Sequence, residues 1–345
     1  MRVCSALIVA AAAVLACAPE RTPPERSADG RLLVHPNDNR TAGGVWRGDT
    51  LVVELTAVLA AWHPDERADS MLTVQAFAEA DGRPRIPGPL VRVPIGTTVE
   101  YRVRNDIPDS LLVMHALNGD GRAVDTVHVP SGATRIVHST RRTPGTWHYR
   151  GTTTGDRLRR SELRDGTLAG GLIVDPADAI PDPDQRVWVL TTVDILPDTS
   201  GSGPPDDVFD LAINGRSWPS TERLAYAVGD SVRWRVINAT ATGHPMHLHG
   251  FHFTITSKND GVTDSVFAPA LQYEAVTEFL NPGTSARLTW TPTRAGEWLF
   301  HCHMIPHIVP FPIRPDSVRL GASHDSHAME AATHMRDGMS GLVLG

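Results

Sequence analysis

The chain has 345 residues, which at roughly 150 residues per domain is enough for two cores. It is 41% hydrophobic and 21% charged, which excludes a disordered chain and a membrane bundle. Its 32 basic and 39 acidic side chains give a formal net charge of -7, against a nucleic-acid binder, and 29 Gly with 27 Pro favour short strands and turns over long helices.

The chain opens MRVCSALIVAAAAVLACAPE. Arg2 is a minimal basic leader, and the small apolar run that follows is too short for a permanent membrane helix but suits a secretory signal. The VLAC before Ala18 resembles a bacterial lipoprotein cleavage site. Residues 1–17 are therefore expected to be a lipoprotein signal peptide. The product would be a periplasmic or cell-envelope protein that meets the membrane only through lipid on Cys17. An ordinary signal peptide cleaved nearby is the alternative, and it also exports the chain. Residues 18–45, rich in Pro, Arg, Asp and Gly, are expected to be a tether.

Strand-like runs then alternate with Gly/Pro turns: 50–58, 97–104, 134–139, 186–194, 231–238 and 285–290. Val, Thr and aromatic residues at period two predict antiparallel strands with one buried face. No long amphipathic helix is evident, although 51–62 is ambiguous. A weak internal repeat relates 86–150 to 213–303, and a Pro/Asp-rich stretch at 176–185 separates the copies. The prediction is an all-β protein with sandwich domains at 46–177 and 185–318.

Seven of the 16 histidines lie between 244 and 307, in HPMHLHGFHF (244–253) and HCHMIPH (301–307). His247 and His249 are two apart, as are His301 and His303, so each pair shares one face of a strand. Cys302 points the other way. With Cys4 removed and Cys17 lipidated, Cys302 is the sole thiol of the folded body. Cys302, His244 and His307 form the thiolate-plus-two-imidazole set of a blue-copper site, and His247, His249, His301 and His303 suit a second copper group. Zinc is the competing metal, but this spacing is not that of a zinc finger. His252 is read as packing or as support behind the ligands, with packing favoured, and the tail at 319–345, with His324, His327, His334, Met329, Met335 and Met339, as disordered or copper-catching.

The motifs HPMHLHG and HCHMIPH, with the Gly-Glu-Trp-Leu-Phe lead-in at 296–300, resemble the multicopper oxidases, the laccase-like cupredoxin family. The resemblance covers roughly 45–317. It implies two cupredoxin-like Greek-key β-sandwich domains and copper as cofactor. A small-molecule or metal-ion donor would be oxidised at a type 1 copper, with Cys302 and His307 as the catalytic pair. Electrons would pass through Cys302 to His301 and His303 at a type 2/3 cluster, with dioxygen as acceptor. Two-domain laccases form trimers with clusters between subunits, so a homotrimer is the matching assembly.

The family's cluster also needs two His-x-His pairs from the N-terminal domain. Aligned without gaps from Asn105, those positions hold Met114 and Ala116, then Arg150 and Thr152. Strand alternation then turns His115 to the opposite face unless a bulge intervenes, while His148 shares parity with Arg150. The family's axial position, five residues after His307, is Pro312, which cannot ligate. The leading expectation is an exported copper oxidoreductase with altered oxygen chemistry. A non-enzymatic electron-transfer protein and a metal-free scaffold are the alternatives.

Overall fold

The computed structural model describes residues 23–64, 71–117, 126–154, 165–180, 182–194, 209–308 and 339–345. The signal segment with Cys17 and the histidines at 324, 327 and 334 lie outside these residues. No helix among the described residues is long and apolar enough to cross a membrane.

The chain folds into two β-sandwiches, as the period-two patterning predicts. In the first, an eight-stranded sheet is built on Thr50–Trp62, which resolves the ambiguous 51–62 segment as strand. That strand pairs parallel with Thr98–Asn105 and antiparallel with Leu72–Ala78. The facing sheet has five strands in the order Val127–Pro130, Leu111–His115, Gly145–Thr152, Ala169–Asp175 and Gly88–Pro94. Leu55, Phe77, Tyr101, Met114 and Tyr149 fill the space between the sheets.

The second sandwich opposes a seven-stranded sheet, including Arg186–Asp194, Val232–Asn238 and Ser285–Trp290, to a four-stranded one. The four strands run Thr277–Leu280, His244–Leu248, Phe300–Cys302, Val343–Leu344. Trp188, Trp234, Phe253 and Cys302 lie in its core.

A third apolar cluster joins the sandwiches, with Leu90, Ala169 and Ile173 from the first against Val187, Val189 and Ile237 from the second. Polar groups complete the joint. Asn259 Nδ2 and Ser285 Oγ both donate to Thr146 O at 2.8 Å. Trp62 Nε1 donates to Gly215 O at 3.1 Å.

Two expectations are corrected. The described part of the 18–45 segment is not a free tether. Leu32–Leu33 pairs with Ala60–Ala61, Val45–Arg47 pairs with Thr50–Val52, and Asn39 is buried with Nδ2 donating to Asn214 Oδ1 at 2.9 Å. Polar composition suggested a linker, but these polar groups find partners across the two sandwiches. Nor is 319–345 disordered to its end, because Val343–Leu344 pairs with Phe300–His301 and Leu342, Val343 and Leu344 are buried. Burying those three apolar side chains ties the segment down.

Candidate metal centre

Strands His244–Leu248 and Phe300–Cys302 run antiparallel, with Met246 opposite Cys302 and His247 opposite His301. Alternation along both strands divides their side chains between two faces. The inner face carries His244, Met246 and Cys302; the outer face carries His247, His249, His301 and His303.

On the inner face, His244, Cys302 and His307 are all buried and their donor atoms converge. His244 Nδ1 lies 3.0 Å from His307 Nδ1 and 3.6 Å from Cys302 Sγ. His307 Nδ1 lies 3.4 Å from the same sulfur. A one-turn helix, Ile305–His307, swings His307 back over the thiol. Thr240 sets the tautomer of His244. Its hydroxyl donates to Asn238 Oδ1 at 2.7 Å and accepts from His244 Nε2–H at 2.7 Å. His244 Nδ1 therefore carries a bare lone pair aimed at the centre of the trio.

Burial, and then the facing His307, hold His244 down at about 3. Burial likewise lowers His307, and it pushes the Cys302 thiol up to about 11. Both imidazoles are thus neutral ligands at neutral pH, while the thiol needs a cation beside it to ionise. One thiolate and two imidazoles at these separations fit copper, the donor set of a blue-copper site.

On the outer face four imidazoles cluster, with neighbouring ring centroids 4.9 to 5.6 Å apart. His301 Nδ1–H donates to Cys302 O at 2.8 Å, which leaves His301 Nε2 bare and 2.9 Å from His249 Nε2. His247 Nδ1 lies 2.8 Å from Thr277 Oγ1. Burial lowers His301 to about 4. His249 and His303 are exposed, and so is His252, which joins neither group and is not the packing residue expected.

The N-terminal domain departs from the gapless alignment. Met114 is fully buried in the core, and His115 pairs in register with Arg150, so both point to the same outer face. His115 and His148 are each held down at about 4, first by burial and then by Arg150. Two histidines and a guanidinium therefore share the face where the family pattern has four ligands. Ala116 takes a positive φ of 61° just past His115, where the strand ends.

The sequence placed Met339 only in a disordered or copper-catching tail, not beside the trio. Ser340 N donates to Ile308 O at 3.0 Å, Leu342 N to His307 O at 3.1 Å, and Cys302 N to Leu342 O at 3.0 Å. The chain thus leaves the metal centre at Ile308 and returns to it at Met339, whose side chain is half-buried. Gly341 permits the return. It has φ 67°, and a Cβ there would sit 2.3 Å from His307 O. The only sequence signal was a methionine followed by a short apolar run, SGLVL.

Residues 191–309 match the family model for multicopper oxidase. Over this segment the chain resembles the multicopper oxidases. The buried His–Cys–His trio suits the copper that this family model implies. Among curated relatives, the multicopper oxidase MmcO of Mycobacterium tuberculosis is 28% identical over 161 residues, covering 41% of this chain and 30% of its own length. A probable nitrite reductase-hydroxylamine oxidoreductase fusion protein of Kuenenia stuttgartiensis is 27% identical over 246 residues, covering 66% of this chain and 26% of its own. The chain thus spans under a third of either relative. Among solved structures, a blue copper oxidase from Nitrosomonas europaea superposes with TM-score 0.58 at 22% identity, covering 75% of this chain and 80% of that one. A copper nitrite reductase from the same organism gives 0.57 at 21%, covering 86% and 93%. These two show that the fold is shared.

Proposed function

We propose that this protein is an exported copper oxidoreductase that takes electrons from a small-molecule or metal-ion donor, with dioxygen as the acceptor. The observation that carries this reading is the convergence of His244 Nδ1, His307 Nδ1 and Cys302 Sγ within 3.6 Å of one another. Copper bound there supplies reversible one-electron transfer. His244, held by Thr240, and His307, held by the turn at 305–307, present neutral nitrogens without reorganising. Cys302 sits between His301 and His303 in sequence, so three consecutive residues join the buried trio covalently to the outer imidazoles.

Met339, beside the backbone that returns to the trio, would be the residue to offer a bound copper a thioether. A long, weak thioether is the usual fourth donor of such a site, and Pro312 offers none. The hydrogen bonds of Ser340 and Leu342 to Ile308 and His307 bring the methionine back to the metal centre. In a homotrimer, His115 of a neighbouring copy would add to the outer imidazoles, and lipid on Cys17 would hold the protein at the cell envelope.

Arg150 beside His115 favours a second reading, a non-enzymatic electron-transfer protein with one copper, because a fixed cation opposes metal binding on that face. Copper per chain, the blue absorption band and oxygen uptake with a phenolic or ferrous donor separate the two. Three or more coppers with steady oxygen uptake support the oxidase. One copper with a blue band and no uptake supports electron transfer. Uptake of nitrite in place of oxygen overturns the choice of acceptor.

A further inference from the structure

The second sandwich opens at one end into a cavity of about 970 Å³, framed by the 218–228 loop and the 292–299 connection. Four of the chain's eight tryptophans line it: Trp218, Trp234, Trp290 and Trp298. Leu248 and Phe300 form its floor. Both belong to the inner face of their strands, so the cavity and the outer imidazoles lie on opposite sides of one sheet. The metal centre uses no atom of this cavity.

Its charged side chains are mostly basic, and Gly345 also lines it beside Arg223. Arg223 lies flat on Trp218, 3.7 Å from the ring centroid. Arg294 lies over Trp298 at 4.6 Å and Phe251 at 5.1 Å, with Nη2 donating to Gly250 O at 2.9 Å. Stacking holds each fork in place while leaving further N–H donors for a ligand. Neither guanidinium has a carboxylate side-chain partner among the described residues, and Glu297, exposed at the rim, is the only acidic residue in the lining. Tyr226 adds a donor. Its oxygen accepts from Trp234 Nε1 at 3.1 Å, and its own proton has no acceptor among the described residues.

We propose that this cavity binds a planar aromatic anion, a small aromatic carboxylate whose ring lies among the tryptophans and whose charge is met by Arg223, Arg294 and the Tyr226 hydroxyl. The indole faces select a flat π-system over an alkyl chain. Two fixed guanidinia select a carboxylate over a neutral group of the same shape. The volume suits one or two ring systems and is typical of small-molecule sites.

The test is calorimetric titration of the metal-free full-length chain with cinnamate, cinnamyl alcohol and decanoate, so that it stands apart from the copper reading. Saturable binding of cinnamate, with the alcohol and decanoate each at least about tenfold weaker, is expected. R223A and R294A should each weaken cinnamate about tenfold while leaving the melting temperature in place. Absence of saturable binding overturns the proposal, as does equal affinity for the alcohol or for decanoate. Undiminished binding by the R223A/R294A double variant also overturns it. Should the variants fail to fold, the three ligands on the unaltered chain decide.

Discussion

His244 Nδ1 and His307 Nδ1 face each other at 3.0 Å across a buried centre, and Cys302 Sγ lies within 3.6 Å of both. His244 spends its only N–H on Thr240, so its facing nitrogen is an acceptor. Such a pair requires a cation or a proton between its nitrogens. Neutral imidazoles and a thiol that burial holds protonated are the starting state for metal uptake, with loss of the thiol proton.

Thr240→Val removes the acceptor of His244 Nε2 and frees the ring to flip or change tautomer. Copper affinity should fall about 10- to 100-fold, the usual effect of losing a hydrogen-bond partner behind a metal-bound imidazole. Competition with a chelator of known affinity measures it. Unchanged affinity would show that packing alone orients the ring.

Cys302→Ser keeps the size of the side chain but replaces the soft thiolate. The blue band should vanish while the fold survives, as read by visible absorption and circular dichroism. A retained band would sink the assignment of the inner trio as the blue-copper site.

Met339→Leu tests the returning chain. If the thioether is a donor, copper should still bind through His244, Cys302 and His307 but with a higher reduction potential, because a weak donor to the oxidised metal would be gone. A potentiometric titration reads the shift. An unmoved potential and unmoved electron paramagnetic resonance spectrum would remove Met339 from the coordination sphere.

The metal-free protein should lose stability as the pH falls from about 6.5 towards 4. Burial lowers His301, His115 and His148 to about 4, so the unfolded chain takes up protons in this window before the folded one does. A second loss should appear as the pH rises above 9, where the unfolded thiol ionises and Cys302, raised to about 11, does not. Thermal melting across pH 4 to 10 checks both limbs. A flat profile below 6.5 would mean that these imidazoles are solvated in solution.

Asn39→Ala should destabilise the protein by about 1–3 kcal/mol, since it leaves buried polar groups unpaired between the two sandwiches. Chemical denaturation measures this. No change would return the 18–45 segment to the role of a free tether.

The sequence alone pointed to the β class, the two-module layout and both candidate metal-ligand motifs. Period-two patterning and HxH spacing are local properties, and alternation along a single strand suffices to put His301 and His303 on one face and Cys302 on the other. Only the tertiary structure decided three things. His115 shares a face with Arg150, because Met114 takes the buried position next to it and the strand register follows the core. Asn39 belongs to the joint between the sandwiches because its partner, Asn214, is 175 residues away. Met339 returns to the metal centre through backbone hydrogen bonds from Ser340 and Leu342, a pairing that residue spacing does not encode because backbone groups are alike at every position.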